Sequence, residues 1–135
     1  MSVKQISVFV ENKSGSLAKI TNVLAENNID IQALSLADTT DFGILRLIVD
    51  SPEKAELALA ENHFTIKETD VLAVAIEDVP GGLNKVLAVM EKAGIAIEYM
   101  YAFTGKMSEN ALVILRVEDN EAAENTLKST GIKVL

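Results

Sequence analysis

The chain repeats itself. Displaced by 66 residues and laid over itself, it matches Val8 to Val74, Glu11 to Glu77, Gly15 to Gly81, Leu17 to Leu83 and Lys19 to Lys85. Further on it matches Val23 to Val89, Ile29 to Ile95 and Ile31 to Ile97, and most positions between exchange one apolar residue for another, as Ile20 for Val86. After a two-residue insertion the register resumes, pairing Leu47 with Leu115, Val49 with Val117, Ala55 with Ala123 and Leu59 with Leu127. A match this long marks one structural unit written twice. Each copy has about 67 residues, marginal for independent stability, so the two are expected to dock against each other.

Within a copy the apolar spacing changes period in a fixed order. Ile6, Val8 and Val10 alternate, which predicts a strand over about 3–11. Leu17, Ile20 and Leu24 stand three and four apart, which predicts a helix over about 15–27 with one buried face. A strand follows at about 29–37, where Ile29, Ile31 and Ala33 are expected to face the core, and another at about 43–50. A helix at about 52–62 and a strand at about 64–68 complete the unit. Asn27-Asn28 and, in the second copy, Gly94 read as helix stops. Ser51 with Pro52 reads as a helix start. Asp38-Thr39-Thr40-Asp41 reads as a polar turn, with a longer and more mobile counterpart from Gly105 to Asn110. Each copy is therefore β-α-β-β-α-β, a ferredoxin-like α+β repeat with two helices on one face of an antiparallel sheet of strand order 4-1-3-2. The copies are expected at 1–68 and 69–135. Unpaired strand edges invite pairing, so the two are expected to join through their second strands into one eight-stranded sheet.

Charge and composition exclude several classes of function. Twelve basic residues stand against 20 acidic ones, a net charge of −8, with no basic cluster. That argues against nucleic acid and against an anionic membrane surface as partners. The chain has no cysteine, which removes disulfides, thiolate metal sites and a cysteine nucleophile. No apolar run approaches the ~20 residues of a membrane span, and Met1 to Gln5 lacks the parts of a signal peptide. A soluble cytoplasmic protein is the expectation. No nucleophile–base set, phosphate-cradling loop or metal-spaced cluster is present in the sequence, so no catalysis, metal or cofactor is expected. His63, the single histidine, falls at a helix end opposite Gly131 of the other copy and reads as structural. Tyr99, Tyr101 and Phe103 read as packing residues in phase with Ile95 and Ile97. Glu53, Glu56 and Glu61 read as a solvated helix face.

The place for chemistry is the turn between the first strand and first helix of each copy, Asn12-Lys13-Ser14-Gly15-Ser16-Leu17 and Asp78-Val79-Pro80-Gly81-Gly82-Leu83. Glycine there permits backbone angles and close approaches that a side chain blocks. A helix that starts at such a turn aims unpaired N–H groups outward, which favours a carboxylate or phosphate. Asn12 and Asp78 read in addition as helix caps.

An apolar strand, this glycine turn, a helix and then Asn28-Ile29-Asp30-Ile31 or Gly94-Ile95-Ala96-Ile97 resemble the ACT domain, a small regulatory module of amino-acid metabolism. The resemblance covers nearly the whole chain as two tandem copies. It implies a non-catalytic protein that binds a small amino acid or related carboxylate at the interface between its repeats and signals occupancy to a metabolic enzyme or pathway. It also implies a homodimer. One implied site combines Asn12, Ser14, Gly15, Ser16 and Leu17 with Ala96 and Glu98; the other combines Asp78, Gly81, Gly82 and Leu83 with Asp30 and Gln32. Two alternatives stand beside this reading: the regulatory subunit of an amino-acid biosynthetic enzyme such as acetohydroxyacid synthase, and a small enzyme on the same fold.

Overall fold

The computed structural model describes residues 3–38, 41–105 and 110–135. The centres of both expected turns, Thr39-Thr40 and residues 106–109, lie outside them. The chain divides into two units, an N-terminal one of Lys4–Thr69 and a C-terminal one built on Asp70–Leu135.

In the N-terminal unit, β1 (Val3–Glu11) leads into α1 (Ser16–Glu26), β2 (Ile31–Asp38), β3 (Phe42–Val49), α2 (Pro52–Glu61) and the first part of β4 (Thr65–Glu77). β1 and β2 both pair antiparallel with β3, and the order is β2-β3-β1-β4. In the C-terminal unit the second part of β4 is followed by α3 (Gly82–Lys92), β5 (Tyr99–Ala102), β6 (Asn110–Arg116) and α4 (Asn120–Ser129). β6 pairs antiparallel with β4 and β5. The last residues return beside β4, where Val134 bridges Val74 and the Leu135 amide donates to the Ala73 carbonyl at 2.9 Å. Both units therefore follow the expected βαββαβ path.

Each unit has its own core, and the cores are copies. Ile6, Val8, Ile20, Leu24, Leu45, Leu47, Val49, Ala55 and Leu59 are buried together in the first. Leu72, Val74, Val86, Met90, Val113, Leu115, Val117, Ala123 and Leu127 are buried together in the second, at the positions the sequence repeat assigns to them. Burial of these apolar groups is the main force holding each pair of helices on its sheet face.

Three expectations need correction. The eight-stranded sheet does not form: the described residues make six strands in the order β2-β3-β1-β4-β6-β5, so β2 and β5 end that order rather than pairing. The physical reason is that Thr69 and Asp70, expected as a join, stay extended, so the last strand of one repeat and the first of the next are the single 13-residue β4. The facing of β2 also changes. Its register against β3 shifts between Ile31 and Ala33, and the extra residue turns Leu34 and Leu36 toward the core side, opposite Leu47 and Leu45. The same change of phase separates Ile97, which packs on the second core, from Tyr99 and Tyr101, which stand opposite Arg116 and Ile114. The tyrosines are therefore out of phase with Ile95 and Ile97.

Candidate functional site

The two glycine turns have one geometry. Gly15 is the N-cap of α1 at φ 90°, ψ −11°, and Gly81 is the N-cap of α3 at φ 86°, ψ −7°. Both lie in the left-handed region, which side-chain-bearing residues enter only at a cost. The first turn is closed by the Lys13 amide on the Glu11 carbonyl (2.9 Å) and the Ser16 amide on the Lys13 carbonyl (3.3 Å). The second repeats this with Val79 on Glu77 (2.9 Å) and Gly82 on Val79 (3.0 Å). Intrahelical pairing begins at Lys19, which donates to the Gly15 carbonyl at 3.0 Å, and at Lys85, which donates to Gly81 at 3.1 Å. Between these, the amides of Leu17 and Ala18, and of Leu83 and Asn84, have no backbone acceptor among the described residues. These are the N–H groups a helix start leaves for a carboxylate.

Asn12 and Asp78, expected as caps, each lie three residues before the N-cap position, which glycine occupies in both helices. The Asn12 backbone amide donates to the Asp41 carbonyl at 3.0 Å. Ser51 holds its expected cap position before α2 but without a side-chain bond.

The remaining expected site residues are spread over both units. Asn12, Ser14, Gly15 and Leu17 are exposed, with Ser16 half-buried. Asp78 and Gly81 are exposed, Gly82 is buried and Leu83 half-buried. Asp30 precedes β2 and is tied to Asp50, its amide donating to Asp50 Oδ1 at 3.0 Å and its carbonyl accepting from the Asp50 amide at 3.1 Å. Gln32 sits at the bulge of β2. Ala96 is exposed ahead of β5. Glu98 is engaged by Arg116, through Oε2 to Nε at 3.3 Å and through its amide to the arginine carbonyl at 2.9 Å.

Ser16 and Gly82, equivalent in the repeat, border equivalent cavities. The first, of about 340 Å³, lies in the N-terminal unit where the end of β1, the start of α1 and the turn from α2 into β4 meet. Its walls are Phe9, Phe42 and Phe64 with Glu11, Lys13, Lys19 and His63. Lys13 Nζ lies 3.0 Å from Glu11 Oε2, and Lys19 Nζ lies 5.6 Å from the centre of the Phe64 ring, within cation–π range. The second, of about 200 Å³, has Ala75, Asn110, Gly131 and Ile132 where the first has Phe9, Phe42, His63 and Phe64, and keeps Glu77 and Lys85. The sequence carried one signal for these pockets: Glu11/Glu77 and Lys19/Lys85 are identical charged pairs flanking the glycine turns, whereas the other identical charged pairs, Glu53/Glu121 and Glu56/Glu124, fall on the second helices.

No group of His, Asp and Glu able to hold a metal ion occurs among the described residues. No helix among them is long and apolar enough to cross a membrane.

Two βαββαβ units, each with a left-handed glycine at the head of its first helix, define a tandem ferredoxin-like fold. The chain belongs to the ACT domain pair family, whose model matches residues 1–134. It is similar to protein BT0572 from Bacteroides thetaiotaomicron, with 43% identity and a TM-score of 0.93 over 100% of this chain and 92% of that one. In fold it also resembles the regulatory subunit of aspartate kinase from Thermus thermophilus in its ligand-free form, at 24% identity and a TM-score of 0.67, covering 93% of this chain and 91% of that one. The regulatory subunit of aspartate kinase from Thermus flavus is comparable, at 21% and 0.64, covering 93% and 88%. A comparison with curated proteins gave no match.

Proposed function

We propose that this chain is a non-catalytic regulatory protein that binds a small amino acid or related carboxylate at its glycine turns and signals that occupancy to a metabolic enzyme. One observation carries the reading: in an ACT domain pair, both units keep a left-handed glycine at the head of a helix whose second and third amides, Leu17 and Ala18 or Leu83 and Asn84, have no backbone acceptor among the described residues. Those amides recognise the carboxylate common to all amino acids, while side chains around them set the choice among amino acids. Asn12, Ser14, Ser16 and Leu17, and Asp78, Gly82 and Leu83, are the proposed contributors from the loops, and Asp30, Gln32, Ala96 and Glu98 those from the strand-2 segments. Binding would act by population shift, favouring whichever arrangement of the chain holds the ligand better.

A regulatory-subunit form of this reading, in which the chain is bound to its enzyme, draws support from the fold likeness to two aspartate kinase regulatory subunits. Co-purification of a larger enzyme with the tagged chain favours that form. We propose also that the chain is homodimeric, because β2 ends the strand order while carrying Leu34 and Leu36 at 43% and 49% exposure.

A thermal-shift screen of the standard amino acids tests the main reading. A ligand present at a hundred times its Kd stabilises the folded state by about 2.7 kcal/mol, a rise of several degrees. At least one amino acid should give such a rise. No rise with any of them would end the proposal.

A further inference from the structure

The Asp70 carbonyl is held in a way that the repeated fold does not require. Asp70 follows Thr69, the last residue of the N-terminal unit, and lies inside β4 where that strand passes from one repeat to the next. Register pairing of β4 with β6 starts only at Leu72, opposite Leu115. Two side chains reach the carbonyl beyond it. Arg116, the last residue of β6, donates from Nη1 at 3.2 Å, and Asn120, the first residue of α4, donates from Nδ2 at 3.0 Å.

The asparagine keeps this position against a penalty. Its Oδ1 is buried with no hydrogen-bond partner among the described residues, and an acceptor left so costs as much as an ordinary hydrogen bond returns, or more. The N-terminal unit reaches the same fold with none of these parts. In the repeat Lys4 stands for Asp70, Gln32 for Glu98, Ile48 for Arg116 and Pro52 for Asn120. Isoleucine and proline carry no side-chain donor, so the double hold belongs to the C-terminal unit alone.

Arg116 has a second engagement. Its Nε lies 3.3 Å from Glu98 Oε2, and the Glu98 amide donates to the Arg116 carbonyl at 2.9 Å. Nε and Nη1 belong to one planar guanidinium, so the direction in which Glu98 draws the group also sets where Nη1 points. The Glu98 side chain is 51% exposed and that of Arg116 29%. Glu98 is thus the open end of a chain of three groups, carboxylate, guanidinium and carbonyl, whose other end is the backbone of β4.

We infer that Arg116 is a positioning residue that transmits the state of the Glu98 carboxylate to β4 at Asp70, with Asn120 as the fixed arm of the same hold. A cation that takes up the carboxylate competes with the guanidinium for it; the guanidinium turns, and the hold on Asp70 loosens. The inference rests on the reading above in one respect: Glu98 is there a proposed contributor to the ligand site, so an α-ammonium is the cation it would meet. What this assigns to the site is a form of regulation, a change in the local opening of β4 at the residue that follows the join of the repeats.

Hydrogen exchange of the full, ligand-free chain, read by mass spectrometry on peptides covering Asp70, Val71 and Leu72, tests the relay. The variants are Glu98→Gln, Arg116→Gln, the two together, and Asn120→Ala with and without Glu98→Gln. Glu98→Gln removes the charge that orients the guanidinium and should speed exchange there at least about threefold. Arg116→Gln should speed it by as much or more, and adding Glu98→Gln to it should change nothing further. In Asn120→Ala the effect of Glu98→Gln should persist, because the asparagine arm does not pass through Glu98. An arginine that served packing alone would show no such dependence on Glu98. Unchanged exchange in Glu98→Gln overturns the inference, and so does an equal effect of Glu98→Gln with and without Arg116. Should Arg116→Gln unfold, Arg116→Lys takes its place: its single nitrogen cannot serve both partners, so Glu98→Gln should then fail to speed exchange, and a speeding equal to that in the wild type overturns the inference. The cycle uses no ligand, so its failure leaves the glycine-turn reading to the amino-acid screen, and a screen without any rise leaves the relay to the cycle.

Discussion

Gly82 is held by packing and Gly15 by conformation, a distinction that settles what replacing each would cost. A methyl group built on Gly82 would stand 2.0 Å from the Glu77 carbonyl oxygen, so the turn must move to admit it. Gly82→Ala should therefore lower stability by about 1–3 kcal/mol, read as a fall in the denaturation midpoint. Ser16 carries such a carbon at the equivalent place, so the first turn already leaves room for it. At Gly15 and Gly81 an added carbon meets nothing within 4 Å, and only the positive φ resists substitution, at about 1 kcal/mol or more. Glu56 presents a different case. A hydrogen bond with Glu68, then partial burial, then repulsion from Glu68 and Glu53 push its carboxyl up from 4.5 to about 7. Between those values the folded chain holds a proton that the unfolded chain has lost, so stability falls as pH rises from 4.5 through about 7. Glu56→Gln should flatten that fall by about 1 kcal/mol once solvent screening is allowed for, measured as chemical denaturation at pH 5 and pH 8. The glycine turns were legible in the sequence because the repeat printed them twice. The rise at Glu56 was not, because it depends on a residue of β4 brought alongside by the fold.

At the scale of elements, both helices of each unit were plain from their spacing. Ile20, Val23 and Leu24 of α1 are buried in the face that the i, i+3, i+4 pattern marked. The strands were found, and so was the facing of β1 and of Ile29 and Ile31, but the facing of β2 beyond Ile31 was not. Alternation predicts a face only while the register is unbroken, and the bulge after Ile31 reverses it without any change in composition. Leu34 and Leu36 consequently share a side with Leu47 and Leu45 yet remain half exposed. Leu36→Asn should alter the stability of the unit by no more than about 0.5 kcal/mol. Leu47→Ala, at 0% exposure, should cost about 2–5 kcal/mol. Denaturant titrations of the two variants compare these directly, and a large loss at Leu36 would mean the strand faces otherwise. If the exposed edge of β2 mediates self-association, Leu36→Asn should lower the molar mass by light scattering without that loss. The fusion into β4 escaped the sequence reading because Thr69-Asp70 carries no apolar alternation, whereas the Asp70 carbonyl is held by the side chains of Arg116 and Asn120, at 3.2 and 3.0 Å, which lie far along the chain.

For the whole molecule the repeat is the governing fact. It specifies two cores position by position, and it also reveals where the copies have parted: the walls of the two cavities and the residue following the cap glycine. A chain with a net charge of −8 and no metal-binding group among its described residues has backbone amides and 12 dispersed lysines and arginines with which to receive an anion. The central claim is that the glycine turns receive it. Titration calorimetry of the strongest amino-acid ligand from the thermal-shift screen into wild type, Gly15→Val, Gly81→Val and the double variant tests this most directly, with ligand-free melting curves confirming that each remains folded. The account predicts that valine at a turn that binds abolishes heat at that turn, and that the double variant binds nothing. Full binding by the folded double variant would contradict it.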